Sequence, residues 1–254
     1  MIERHVHGPI HEIRLARPPV NALNPELLQQ LRAAVEAAPA QGARGIVLAG
    51  GPNVFSGGLD VPHLLTLEPD ALQAAWQDFF DAALAIARCP IPVVAAIAGH
   101  APAGGCVLAL CCDYRVMARS PDPAKPYRIG LNEVQVGLAV PEAIQHLLRR
   151  VVGTYRAERL LVSGTMVDSE QALALGLVDA VADIQQTTIR AGAWLEALLQ
   201  LPSAPMLATR ELARADLIAA LSDPVRIDLP RFFAHWHHPD TQAALQALVA
   251  RLGK

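Results

Sequence analysis

Twice in succession the chain runs an apolar segment into a pair of glycines and then into a helix-patterned stretch, and no other feature restricts its folding as much. The first unit reads Arg44-Gly-Ile-Val-Leu-Ala-Gly-Gly51, then the turn Phe55-Ser-Gly-Gly-Leu-Asp60, then Leu72, Trp76, Phe79, Phe80, Ala83, Leu84 and Ala87 at helical spacing. The second reads Pro92-Val-Val-Ala-Ala-Ile-Ala98, the turn Gly99-His-Ala-Pro-Ala-Gly-Gly105, a short apolar helix over Cys106 to Cys112, and at once another strand, Asp113-Tyr-Arg-Val-Met-Ala118. Short apolar runs bounded by Gly and Pro suit strands buried on both faces, and strands alternating with helices imply parallel pairing. The expected class is α/β, with functional groups at the turns where strands end and helices begin. With 254 residues, 52% of them apolar, the chain can build one large core.

Residues 4 to 17 set Ile10, Ile13 and Leu15 against Glu12 and Arg14 across a Gly8-Pro9 turn, which predicts a strand or hairpin. His5, His7 and His11 fall here and are expected to be solvated strand residues without a paired carboxylate. Asn24 as a cap and Pro25 at the first helical position open a helix that runs to about Ala38. Residues 119 to 140 are turn-rich. Helices follow near 141 to 150 and 154 to 163, another begins at the capping-box pattern Asp168-Ser-Glu-Gln, and Gly176-Leu-Val-Asp-Ala-Val predicts a last short strand. From about Ile184 onward the pattern is helical and interrupted by prolines. The predicted division is a core carrying the active site over 1–183 and a helical C-terminal region over 184–254.

The 21 basic residues include only two lysines and form no cluster, and the net charge is −3, which argues against a nucleic-acid partner. No stretch approaches the roughly 18 unbroken apolar residues of a membrane span. The N-terminus has no apolar signal region, so a cytoplasmic location is expected. Cys89, Cys106, Cys111 and Cys112 lack metal-ligand spacing and are expected to be reduced core thiols; no metal is expected.

Glycine pairs at a strand-to-helix step let a ligand approach the backbone closely, and the first N–H groups of a helix have no partner within it. Neither pair is followed by a phosphate-loop lysine, and Gly-x-Gly-x-x-Gly is absent. Two such turns can aim two donors at one oxygen, and an enolate formed from a thioester suits them. A site of that kind then needs one well-placed base.

Phe55-Ser-Gly-Gly-Leu-Asp60, the run from Val93 through Gly104-Gly-Cys to Ala118, and Ile129-Gly-Leu-Asn-Glu133 together resemble the crotonase (enoyl-CoA hydratase/isomerase) superfamily. Asn21-Ala-Leu-Asn24, Gly176-Leu-Val-Asp179 and the helical tail extend the likeness over nearly the whole chain. The resemblance implies a spiral of ββα units, a C-terminal helical trimerisation region, a homotrimer or hexamer, and an acyl-CoA thioester as substrate with no separate cofactor. It places an oxyanion hole on the backbone N–H groups of Leu59 and Gly104, and substrate-binding positions at Ser56, Gly57, Gly58, Asp60, Gly105, Val107 and Asn132. The superfamily's hydratases carry two glutamates. Here the first position is Val107 and only the second, Glu133, is present.

Hydration needs one group to activate water and another to manage the α-proton, whereas one carboxylate suffices to carry a proton from C2 to C4 of a 3-enoyl thioester. The pattern is most similar to the mitochondrial-type enoyl-CoA isomerases, which implies conversion of 3-enoyl-CoA to trans-2-enoyl-CoA with Glu133 as base and acid. Val107, Val136 and Leu138 are expected to form an apolar wall. Glu142 is a secondary candidate, although beside Pro141 it also suits a helix's first turn, where the dipole favours a carboxylate. His100 and His235-Trp-His-His238 are expected to be ordinary turn and helix-end residues, and Asp60 and Asp113 to bond local backbone. The alternatives are another crotonase reaction, such as hydration, and a noncatalytic acyl-CoA-binding subunit.

Overall fold

The computed structural model describes residues 1–252; the last two residues of the 184–254 region lie outside them. Strands β1 (Ile2–His7), β2 (Ile10–Leu15), β3 (Gly45–Ala49), β5 (Val93–Ile97), β7 (Tyr114–Ala118) and β9 (Ala180–Ala182) form one sheet in that order, and β4 (Asn53–Val54), β6 (Gly99–Pro102) and β8 (Ile129–Gly130) form a second. β1 and β2 are an antiparallel hairpin; every later pairing in both sheets is parallel. Parallel strands need crossover helices, and these cover both faces, so β3 and β5 are buried at every position.

Alternation along these strands divides the core. Ile46, Leu48, Val93, Ala95 and Ile97 face the main apolar cluster beneath α1 (Pro25–Ala37) and α3 (Pro69–Arg88). Val47, Ala49, Val94 and Ala96 face the other way, onto Ala191 and Leu195. The remaining helices are α2 (Val61–Leu64), α4 (Gly104–Leu110), α5 (Glu142–Val152), α6 (Thr154–Ser163), α7 (Ser169–Leu175), α8 (Ile184–Leu198), α9 (Ser203–Ala213), α10 (Ala215–Ser222), α11 (Pro224–Ile227), α12 (Leu229–Trp236) and α13 (Pro239–Leu252). Asn24 caps α1 and the Asp168–Gln171 capping box starts α7, as their sequences predict.

Two expectations are corrected, the turn at Gly99–Pro102 and the solvation of His11. Gly99–Pro102 is a strand, not a turn: a Cβ on Gly99 would lie 1.8 Å from the Asn53 carbonyl carbon, so only glycine permits the β4–β6 pairing. Helix α8, although in the C-terminal region, lies on the second face of the large sheet, where Trp194 stacks on Tyr114 at 4.7 Å. The main sheet would be bare there without it. His11 is buried rather than solvated, and His7 Nε2 lies 3.7 Å from Glu12 and His5 Nε2 3.8 Å from Glu3.

The small sheet positions the site. Its strands β4, β6 and β8 run parallel and release the chain on one side, into Phe55–Asp60, Ala103–Gly104 and Leu131–Glu133 respectively.

Candidate active site

The first turn is held from behind by the segment after β2. Ser56 Oγ donates to Asn21 O at 2.8 Å and accepts from Gly58 N at 3.2 Å, while Asn21 Nδ2 donates to Phe55 O at 3.1 Å. Leu23 then bridges the two neighbours of Leu59: its N–H donates to Gly58 O at 2.8 Å, and its carbonyl accepts from Asp60 N at 3.1 Å. In this parallel bridge the N–H of Leu59 itself points away from Leu23, and it donates to no other described residue. Asp60 closes the turn by capping α2 through His63 N at 3.1 Å and pairing with Arg17 at 2.6 Å.

The second turn carries the other donor. Ala103 N donates to Gly130 O at 2.9 Å, and Ala103 has φ 44° and ψ −116°, a conformation an alanine adopts only under strain. This reversal starts α4 at Gly104, whose N–H, at the helix's first position, also donates to no described residue. A Cβ on Gly104 would lie 3.4 Å from Leu59 N, and one on Gly58 would lie 3.4 Å from Gly104 N. The two donors are neighbours in space. Ser56 and Val107 are completely buried and Gly105 is buried, and a Cβ on Gly105 would strike Ser56 O at 2.6 Å, so these three shape the site from behind the surface.

Glu133 opens a 3-10 turn, Glu133–Val136, that follows β8. Its Oε2 is buried without a hydrogen-bond partner, as is Asn132 Oδ1 beside it. Burial pushes the carboxyl up to about 7, partly offset by its own backbone N–H. The Cys106 thiol on α4 feels its charge, which places the carboxyl by the helix that begins at Gly104. Val136, the last residue of this turn, is half-buried, and Leu138 just beyond it is buried.

Glu142 is placed differently. It pairs with Arg149 on its own helix and with Arg226 at 3.6 Å, and lines a cleft of about 770 Å³ between α5, α6, α11 and α12, whose walls include Val140, Leu161, Ile227 and Phe232. His100 Nδ1 accepts from Arg128 N at 3.2 Å, and burial lowers its pKa. Asp113 accepts from Val93 N, as expected of a turn aspartate, and also pairs with Arg210 and Arg214. All four cysteines are free and buried, and burial pushes the Cys111 thiol up to about 12. Asn21 and Leu23, which aim the Leu59 donor, carry no role in the sequence reading; the Asn21-Ala-Leu-Asn24 segment was the available signal.

An α/β fold that sets two free N–H donors side by side, with one buried carboxyl oxygen by the helix that starts at the second donor, has the parts an enzyme needs to stabilise an enolate. The model of the family described as enoyl-CoA hydratase/isomerase matches residues 6–253, and the chain belongs to that family. It is 30% identical to mouse "Enoyl-CoA delta isomerase 1, mitochondrial", covering 99% of this chain and 86% of the mouse protein. It is 35% identical over 214 residues to "Probable enoyl-CoA hydratase echA17" of Mycobacterium avium, covering 81% of each chain. Among solved structures, human mitochondrial delta3-delta2-enoyl-CoA isomerase superposes with a TM-score of 0.92 at 29% identity, covering 99% of this chain and 98% of that one. Enoyl-CoA hydratase/isomerase chemistry is therefore the activity of this fold. Among the described residues, no helix is long and apolar enough to cross a membrane.

Proposed function

We propose that the protein moves the double bond of a 3-enoyl-CoA to the trans-2 position, with Glu133 as the only acid–base group. The observation that supports this most is the pairing of one enclosed carboxyl near neutrality with two free backbone donors, while Val107 leaves the second glutamate position of hydratases apolar.

The substrate's thioester oxygen accepts from the N–H groups of Leu59 and Gly104, which bind it more tightly as it gains negative charge. Glu133 in its carboxylate form takes a proton from C2. The electron pair spreads over the oxygen, C2 and C4 as a dienolate. Glu133, now a carboxylic acid, returns the same proton to C4, the C2–C3 double bond forms, and the carboxylate is regenerated with no net change in atoms or electrons. A carboxyl pKa near 7 suits a group that must both take and give the proton. Val107 offers nothing to orient water, which disfavours hydration of the product.

Hydration is the second reading, favoured by the 35% identity to a protein named as a hydratase. It requires another acid–base group, and the candidate, Glu142, is engaged by Arg149 and Arg226. The active assembly is taken as a homotrimer or hexamer. In support, Val162 and Val225 line one cleft and are 83% and 80% exposed, apolar surface that a lone subunit leaves in water. The test is a panel of 3-enoyl-CoA, trans-2-enoyl-CoA and saturated acyl-CoA with purified protein. Conjugated-thioester absorbance appearing from the first alone is expected; hydration of trans-2-enoyl-CoA at an equal rate overturns the proposal.

A further inference from the structure

The turn that carries Glu133 is held from outside by the last helix of the chain. Gly137 ends the turn in the left-handed region, with φ 82°, and a Cβ there would lie 3.0 Å from Ala244 Cβ and 3.1 Å from Thr241 Cα. The backbone of the turn and the surface of α13 are thus in direct contact. Thr241 Oγ1 donates to Gly137 O at 2.7 Å, across 104 residues of sequence, and Thr241 is buried. From Gly137 the order passes straight to the base: Gly137 N–H bonds back into the turn at Glu133 and Val134, and Leu138 N donates to Glu133 O at 3.0 Å. On the far side, Gln135 Nε2 donates to Gly164 O at 2.9 Å, clamping the turn on α6. Helix α13 also packs against α2, which directly follows the Leu59 donor.

We infer that Thr241 is a positioning residue: its hydroxyl latches α13 onto the Glu133 turn and sets the register between the carboxyl and the two oxyanion donors. The inference rests on Glu133 acting as the base. Removing the buried Thr241 hydroxyl takes the partner from the Gly137 carbonyl in a part-buried contact, so the turn must shift or admit water to satisfy it. Burial alone raises the carboxyl's pKa, and the titratable neighbour that feels it is the Cys106 thiol, itself pushed up and neutral at the working pH. Water reaching Glu133 therefore lowers its pKa toward the ordinary carboxylate range.

Thr241→Val keeps the side chain's shape and deletes the hydroxyl; Thr241→Ser keeps the hydroxyl. Each is assayed with a 3-enoyl-CoA across pH, beside Glu133→Gln, and the carboxyl is titrated separately by carbon-13 NMR of glutamate-labelled protein, with E133Q assigning the signal. The expected result for T241V is a kcat lower by roughly ten- to a hundredfold, a KM within about threefold because the donors are untouched, and an NMR midpoint moved down by about half a unit or more. T241S should behave as wild type. Where T241V does not fold, Thr241→Ala removes the same hydroxyl without placing a second methyl against Gly137. Unchanged kcat and midpoint overturn the inference. A uniform loss at every pH with the midpoint unmoved also overturns it, since that reports fewer folded molecules, and so does a T241S protein as impaired as T241V. An active E133Q instead removes the base assignment, and the NMR midpoint of T241V still reports on the latch because it needs no turnover.

Discussion

The N–H of Leu59 and the N–H of Gly104 lie in segments that follow different strands of the small sheet, β4 and β6, yet a methyl group on Gly104 would sit 3.4 Å from the Leu59 nitrogen. The gap between Gly104 and the Leu59 nitrogen therefore holds little more than one methyl group. Gly104→Ala fills it, and the same methyl meets Leu23 Cδ1 at 3.1 Å and Phe79 Cε2 at 3.3 Å, contacts a small side-chain shift can relieve. The protein should stay folded while kcat falls roughly 10²–10³-fold, the effect of losing an oxyanion donor. Steady-state kinetics beside a thermal melt decide this, and near-normal kcat in folded protein would place the donors elsewhere.

Glu133→Gln should lower kcat by roughly 10²–10⁴-fold with little change in KM. The same change should stabilise the protein at alkaline pH. The carboxyl titrates at about 7 in the folded chain against 4.5 for the unperturbed group. Between those values the folded state holds more protons than the unfolded state, so wild-type stability falls as pH rises through this window. Glutamine carries no such penalty. Above pH 7, E133Q should therefore outlast wild type in denaturant, by at most about 3 kcal/mol. Equal midpoints at pH 5 and pH 8.5 for the two proteins would contradict the burial argument.

Glu142→Gln should cost less than about tenfold in kcat, because its charge is engaged by Arg149 and Arg226 at the start of α5. A dead E142Q beside an active E133Q would reverse the catalytic assignment.

Asp113 is the anchor for the C-terminal helices. Its carboxylate accepts from Arg210 at 2.8 Å and from Arg214 at 3.0 Å, and all three side chains are nearly inaccessible. Removing one partner of a buried ion network leaves uncompensated charge. Asp113→Asn should destabilise the fold by about 3–5 kcal/mol, measured by urea unfolding; a loss below about 1 kcal/mol would show the arginines satisfied by the backbone carbonyls of Ala87, Cys89 and Cys111 alone.

Local chemistry determined much of this protein. The runs that became β3 and β5 are apolar throughout and bounded by glycine or proline, so burial on both faces follows from their composition, and Asn24 and the Asp168–Gln171 pair satisfy helix ends from within a few residues. The two glycine turns were legible as places of close backbone approach, and Glu133 as a candidate through its resemblance to the crotonase pattern. Strands of two residues were not legible: Asn53–Val54 and Ile129–Gly130 are too short for any periodicity, and they exist only because Gly99–Pro102 runs between them. The face that α8 covers, the bridge by which Leu23 frees the Leu59 N–H, and the Thr241 contact with Gly137 were equally hidden. Helical or strand pattern records which face of a segment avoids water, not which distant segment supplies the cover. The direction of the two donors and the raised pKa of Glu133 are sums over groups from separate parts of the chain, and desolvation has no value until those groups have closed around the carboxyl.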